Sequence, residues 1–314
     1  MSSTLVLVNP AAGGGRAGRF WERLRLQAER LAPLRVVTPG GAEESRRAVR
    51  GALEAGCERV VAVGGDGTAH LAANVFLESE AKATLGIVPA GTGSDLARAL
   101  GIPSDPSEAL RRALLGPPTR MDVGRCEGEA GGFFFINIAS AGIGGLVDET
   151  VNAIPRRGRT AFLRATLRAL RHYRCAPVRV AVDGEAWYEG PLFVLAVANG
   201  TTFGKGMRVA PQARPDDGLF DLVLVGEVAG WELIRRLPQL YFGRHLGARP
   251  VRYRQAQEVR LEPLAPLPVF DVDGETYASG AATFTLVPGA LAVAGPPATP
   301  GRREREVRPS FGVR

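Results

Sequence analysis

Three segments of the first hundred residues share one pattern, an unbroken apolar run that dissolves into glycines and re-emerges as an amphipathic stretch. They are TLVLVNPAAGGGRAG before FWERLRLQAERLA, VVAVGGDGTAH before LAANVFLES, and LGIVPAGTGSDLARAL closing at Gly101. The runs carry no polar alternation, which predicts strands covered on both faces, and their succession with helices predicts a parallel sheet. All three glycine loops then leave from the carboxyl edge of that sheet, where open α/β sheets bind ligands.

From about residue 120 the pattern shortens. VRVAVDGEAWYEG, FVLAVANG, FDLVLVGEV, EVRLEP and FDVDGETY read as strands bounded by Gly, Asp and Pro, and predict a second, mostly antiparallel unit. One helix interrupts it at 160–174, with Phe162, Thr166, Ala169, Leu170 and Tyr173 on one side and Arg164, Arg168 and Arg171 on another. The segment from Pro296 onward has no apolar period and is expected to be disordered, the basic tail 301–314 above all.

A length of 314 residues with 45% hydrophobic composition suffices for two domains with their own cores. Cys57, Cys126 and Cys175 are odd in number and widely spaced, which predicts neither a disulfide framework nor a zinc site and fits a reducing cytoplasm. Nothing basic precedes TLVLV, so no secretory signal is expected, and the uncharged stretches 131–147 and 276–301 are broken by polar residues, glycines or prolines. The net charge of +7 favours an anionic partner: a nucleotide, a nucleic acid or an acidic membrane surface.

Gly13, Gly15 and Gly18 satisfy the dinucleotide fingerprint G-x-G-x-x-G after a strand, but the next strand, 34–38, ends in Thr38 where that fingerprint asks for an acid. A Rossmann oxidoreductase, or a turn needed only to connect strand to helix, stays open at this point. No Walker A loop occurs, and the only lysines are Lys82 and Lys205. Three loops that each open a helix present bare N–H groups and positive helix ends along one edge, an arrangement suited to a polyphosphate. Arg16 and Arg19 can add charged donors there, or simply solvate a helix. Asp66, Asp95 and Asp122 can hold Mg²⁺ beside a triphosphate; equally, Asp95 can cap a helix and Asp66-Gly67 can make a turn. The Asp-Gly pairs of PVFDVDGETY and ARPDDGLFDLVLV read first as hairpin turns. That leaves Glu275 an exposed strand residue unless the second domain folds back over the loops.

Taken together, NPAAGGGRAG, GGDGT at 64–68, GTGSD at 91–95, MDVG at 121–124, PQARPDDGLFD at 211–221 and VDGE at 272–275 resemble, in order, bacterial diacylglycerol kinase-like lipid kinases, relatives of sphingosine and ceramide kinases. GGDGT is also shared with NAD kinases. The resemblance implies an N-terminal doubly wound, mostly parallel α/β domain at 1–124, completed by a strand returning near 290–300, and a C-terminal β-sandwich at 125–289. It implies MgATP as the phosphate donor and a lipid alcohol as substrate at the cytoplasmic face of the membrane, not a nucleic acid, and it leaves a homodimer open; the arginine helix 160–174 and the net positive charge are expected to support peripheral contact with an anionic membrane surface, unless that helix only packs its apolar side on the sandwich and solvates its arginines. By the same resemblance Asn9, Pro10, Ala11, Ala12, Gly13, Thr38, Gly64, Gly65, Asp66, Gly67, Thr68 and Thr92 line the nucleotide, beside which Arg16 is expected from its own position and charge. Glu275 is the base, and Asp66, Asp95 and Asp122 form an acidic network. Asp217 with the carbonyls of Arg214 and Leu219 holds a structural Mg²⁺. The chain departs from the family at Ala12, often serine, at His70 and Leu71, usually Asn and Glu, and at Ser94, frequently Asn. An NAD kinase and a non-catalytic nucleotide- or lipid-binding homologue are the alternatives.

Overall fold

The protein, seen as a computed structural model, is described over residues 4–91, 93–128, 131–152, 173–228, 232, 238–247 and 249–296. The expected arginine helix up to residue 172, the tail 301–314 and Thr92 lie outside the described residues. The first half runs β1 (Thr4–Val8), α1 (Ala12–Leu31), β2 (Arg35–Val37), α2 (Ala42–Glu54), β3 (Arg59–Gly64), α3 (Asp66–Glu78), β4 (Thr84–Pro89), α4 (Asp95–Ala99) and α5 (Pro106–Leu115). The second half runs β5 (Pro118–Gly128), β6 (Gly131–Phe135), β7 (Ile138–Gly142), α6 (Ile143–Asn152), β8 (Ala176–Val182), β9 (Glu185–Ala198), β10 (Phe220–Gly226), β11 (Val251–Ala256), β12 (Glu258–Pro263), β13 (Phe270–Val272), β14 (Glu275–Tyr277) and β15 (Ala282–Ala294).

The first four strands pair in parallel in the order β2-β1-β3-β4. Their unbroken apolar sequences have a direct cause. In β1, Leu5 and Leu7 pack on one side with Val60 and Ala62 of β3, under α2 and α3. Val6 and Val8 pack on the other with Val61 and Val63, under α1 and α5. A period of two across a sheet covered twice requires apolar residues at every position. The α5 helix adds a side-chain cap, because Asp105 Oδ1 accepts from the Glu108 N–H at 2.9 Å and Pro106 sets the first turn.

The second half is antiparallel. Strands β7, β8 and β10 flank β9, and β12 joins β8 to β15. Their inner faces meet in one apolar cluster centred on Phe135, Phe220 and Phe284. The long β15 belongs to both halves, running antiparallel along β5 and then beside β4 in parallel at Val293. Likewise β5 passes through residue 124, so the two units share strands as well as a linker. The fold is thus α/β, with a parallel N-terminal sheet and an antiparallel C-terminal sandwich.

Candidate active site

At the carboxyl end of β1 the chain turns through three consecutive left-handed glycines, Gly13 (φ 63°), Gly14 (φ 69°) and Gly15 (φ 83°), before α1 becomes regular at Arg16. Side chains with a Cβ rarely adopt this conformation, so the glycine run is what lets the loop form. Gly13 is also wedged against the next loop: a Cβ there would approach the Ala90 carbonyl oxygen to 2.5 Å. Asn9 fastens the turn from below, with its Oδ1 accepting from the Ala11 N–H at 3.2 Å and its Nδ2 donating to Thr68 Oγ1 at 3.0 Å. Arg16 donates from Nε to the Gly13 carbonyl at 2.9 Å. Pro10 and Ala11 are exposed on the tip, Ala12 is half-buried, and Thr38 is exposed just past β2 on the same edge.

The second and third loops are stitched together by Asp66. Its carboxylate accepts from the Asp95 N–H at 3.1 Å and the Leu96 N–H at 3.3 Å, at the start of α4. Backbones also touch, since a Cβ on Gly91 would lie 2.6 Å from the Gly65 Cα. Burial pushes the Asp66 carboxyl up to about 6, and the charges of Asp95 and Asp273 push the same way against the two amides. Asp95, buried, reaches across to the second domain: its oxygens accept from the Lys205 and Gly206 N–H groups, each at 2.8 Å, and from Arg98 at 2.6 Å.

The decisive contact comes from far along the chain. Asp273 (φ 53°) and Gly274 (φ 87°) form the tight hairpin turn between β13 and β14, as an Asp-Gly pair between alternating residues should. The hairpin nevertheless lies over α3. Glu275 is exposed, yet its carboxylate faces the first turn of that helix, where a Cβ on Gly67 would meet Glu275 Oε1 at 2.6 Å. Asp273 is buried and accepts from the N–H groups of Ile136 (2.8 Å), Asn137 (2.9 Å) and Ile138 (3.0 Å), and its Oδ2 lies 2.9 Å from His70 Nδ1.

Asp122 stands elsewhere. Its two oxygens accept from Gly218 (2.8 Å) and Gly289 (2.7 Å), so it braces the turn that carries Asp217 and the bend inside β15. Asp217 is exposed and accepts from the Leu219 N–H at 3.2 Å, while Arg214 pairs with Asp216 at 3.4 Å. Gly218 (φ 79°) leads this turn into β10, whose partners are β9 and β11; here the Asp-Gly pair makes a loop turn and not the hairpin that its composition suggests. Burial and the neighbouring charges of Asp221 and Asp122 push the Asp217 carboxyl upward, a field that a cation would relieve. Among the described residues no three His, Cys, Asp or Glu side chains converge as a ready metal cluster.

A diacylglycerol kinase catalytic domain profile matches residues 3–126, and a YegS C-terminal NAD kinase β-sandwich-like profile matches residues 137–295. The chain is 36% identical over 279 residues to a protein of Chromohalobacter salexigens described as "Probable lipid kinase YegS-like", covering 87% of this chain and 86% of that one. The chain belongs to the diacylglycerol kinase-like lipid kinases. A Mycobacterium tuberculosis protein named diacylglycerol kinase is 29% identical over 92% of the chain and 94% of its own length. A crystal structure of a diacylglycerol kinase from Bacillus anthracis shares the fold with TM-score 0.70 at 20% identity, covering 94% of this chain and 97% of that one. An NAD kinase from Archaeoglobus fulgidus, solved in complex with ATP, shares it with TM-score 0.51 at 14% identity, covering 93% of each.

In this lipid kinase fold, then, Asn9 to Gly13, Gly64 to Thr68, Asp66, Asp95 and Glu275 meet at one edge, while Asp122 groups with Asp217, Arg214 and Leu219 around the 214–221 turn. Sequence reasoning passed over Asp273 as a partner of His70, and the Lys205–Gly206 amides as donors to Asp95. One signal was legible: His70 and Asn74 lie four apart on the otherwise apolar α3, both buried, which marks a polar face that must meet a polar partner.

Two outcomes follow from this geometry. Gly67→Ala places a methyl carbon 2.6 Å from the present position of Glu275 Oε1, and the flexible glutamate yields more cheaply than backbone. The variant should therefore fold with a melting temperature close to wild type and lose most phosphotransfer; retained turnover would separate the Glu275–Gly67 contact from activity. For Asp66, a folded-state value of about 6 against 3.8 means that ionisation opposes folding. The ligand-free protein should lose stability relative to Asp66→Asn as pH rises from about 4 to about 7 in denaturant titrations, whereas parallel pH profiles would contradict the burial argument.

Proposed function

We propose that this lipid kinase-family chain transfers the γ-phosphate of MgATP to the hydroxyl of a lipid alcohol such as diacylglycerol, with Glu275 as general base. The observation that carries the reading is the Glu275 carboxylate set against Gly67, at the N-terminus of a helix opened by the glycine loops. Phosphoryl transfer needs positioning and charge neutralisation more than covalent chemistry. The three loops, from Asn9 to Gly13, from Gly64 to Thr68 and at Thr92, would line the triphosphate, with the positive ends of the helices they open facing it and Arg16 and Thr38 at its rim. As the lipid oxygen bonds to the γ-phosphorus and the bond to the β-phosphate oxygen breaks, the hydroxyl proton passes to Glu275. Mg²⁺ bound with the phosphates supplies neutralising charge. Asp66 and Asp95 would be the carboxylates offered to that ion, and Asp217 with the Arg214 and Leu219 carbonyls would hold a second, structural one.

A lipid acceptor has to be reached from a bilayer. We assign the approach to an anionic membrane surface on the cytoplasmic side. Exposed Tyr241, Phe242 and Arg244 lie in a stretch, 238–257, without a single acidic residue, and exposed Arg208 joins them through its N–H, which donates to the Leu240 carbonyl at 2.9 Å. Aromatic rings at the interface and basic residues near anionic headgroups, each worth about 1 kcal/mol at best, are the chemistry such a surface selects. No described helix is long and apolar enough to cross a membrane.

Glu275→Gln should keep ATP binding and lose about 10² to 10⁴ in rate. Labelled ATP, Mg²⁺ and a total bacterial lipid extract should then label a lipid with wild type and not with the variant; unchanged turnover removes Glu275 as the base, and label on NAD⁺ alone makes the chain an NAD kinase. In sedimentation with anionic vesicles, Tyr241→Ser/Phe242→Ser and charge reversal at Arg164, Arg168 and Arg171 locate the contact. The first should weaken binding; if only the second does, the contact is the 160–174 segment instead.

A further inference from the structure

His70 is one of the chain's three histidines and departs from the asparagine usual in the family. It is 3% exposed on the second turn of α3 and belongs to none of the nucleotide-lining segments. Its partners define its place. Nδ1 lies 2.9 Å from Asp273 Oδ2, and Nε2 lies 3.0 Å from the Tyr277 hydroxyl and 3.3 Å from Asn74 Nδ2. Asp273 already accepts from three amides, so Nδ1 is assigned the proton it donates to Oδ2, and Nε2 then accepts from the Tyr277 hydroxyl; the two hydrogens of the Asn74 amide go to the His70 and Phe134 carbonyls at 3.0 and 3.2 Å.

Asp273 and Tyr277 are the residues two before and two after Glu275. Gly67, which touches Glu275, precedes His70 by three positions and so lies on the same face of α3. The hairpin is therefore laid along one helix face with three points of registration: Glu275 on Gly67, and Asp273 and Tyr277 both on one imidazole. Tyr277 is held from its other side by Phe133, with ring centroids 4.2 Å apart. Asp273 is held by the amides of residues 136–138. Among the described residues, the imidazole is the side chain of α3 that bonds to both Asp273 and Tyr277.

We propose that His70 is a positioning residue for phosphoryl transfer: by holding Asp273 and Tyr277 it fixes the Glu275 carboxylate over the N-terminus of α3. The inference rests on Glu275 acting as the base. A displacement of about 1 Å in a reacting group costs up to about 10²-fold in rate, and a loss confined to the transition state lowers kcat without raising KM.

His70→Ala should lower kcat about 10- to 100-fold, with KM for ATP within about twofold of wild type. His70→Asn, whose amide nitrogen replaces Nδ1 toward Asp273, should recover most of that loss. A double-mutant cycle separates this inference from the reading it rests on. If His70 acts through Glu275, His70→Ala costs nothing further in a Glu275→Gln background; full additivity overturns the positioning role even when Glu275→Gln alone is impaired. Unimpaired Glu275→Gln overturns the base assignment and this inference with it. Should His70→Ala not fold, Tyr277→Phe decides: it removes one hydroxyl and keeps the Phe133 contact. It should lower kcat about 3- to 10-fold without moving KM for ATP, and an unchanged kcat overturns the proposal.

Discussion

The structure depends on a buried carboxylate at a hairpin turn. Asp273 sits 8% exposed between the two halves, and an isolated charge there would cost several kcal/mol. It is tolerated because three consecutive amides, from Ile136 to Ile138, and an imidazole converge on its two oxygens. Charge-assisted hydrogen bonds of this kind are about twice as strong as neutral ones. The amides come from the junction of β6 and β7, and the imidazole from α3. A left-handed turn that would otherwise be a surface hairpin thus becomes the joint that holds the antiparallel half against the parallel one.

The same device recurs. Asp66 gathers the amides that open α4, Asp95 gathers the amides of Lys205 and Gly206 from the other half, and Asp122 gathers those of Gly218 and Gly289. Each of these carboxylates reads in sequence as a candidate ligand for Mg²⁺. In the folded chain their first task is to satisfy loop amides that leave a sheet edge without ladder partners. The two roles are compatible, since a carboxylate oxygen has a second lone pair. The acidic residues nevertheless divide into two groups, Asp66 and Asp95 at the glycine edge and Asp122 and Asp217 at the 214–221 turn, instead of one network.

Much of this was legible from local rules. The parallel sheet followed from apolar runs such as Leu5–Val8 and Val60–Val63, because a doubly covered strand has no polar face to show. Gly13 to Gly15 announced a loop that residues with side chains cannot make. The hairpin at Asp273-Gly274 was equally plain, and Glu275 is indeed exposed on it. What local rules cannot supply is which surface an exposed hairpin lies upon. The contact between Gly67 and Glu275 spans more than two hundred residues and leaves no trace in spacing; only the family resemblance brought the two segments together. Asp217-Gly218 shows the converse failure, since the dipeptide fixes a turn but not which strands it connects.

Two carboxylates border Gly67, and their surroundings differ. Asp66 has both oxygens committed to α4 amides and is pushed up to about 6 by burial and by its acidic neighbours. Protonating it would cost one amide its acceptor, so proton traffic at Asp66 is coupled to the order of α4 and, through Asp95, of the Lys205–Gly206 loop. Positive charge arriving near it favours the ionised form and tightens that arrangement. Glu275 engages no hydrogen-bond donor among the described residues and is exposed. A proton taken there disturbs no loop. On the proposed reading, the carboxylate that takes the hydroxyl proton is the one that the scaffold does not use, so its position would be imposed by its neighbours on the hairpin instead of by bonds of its own.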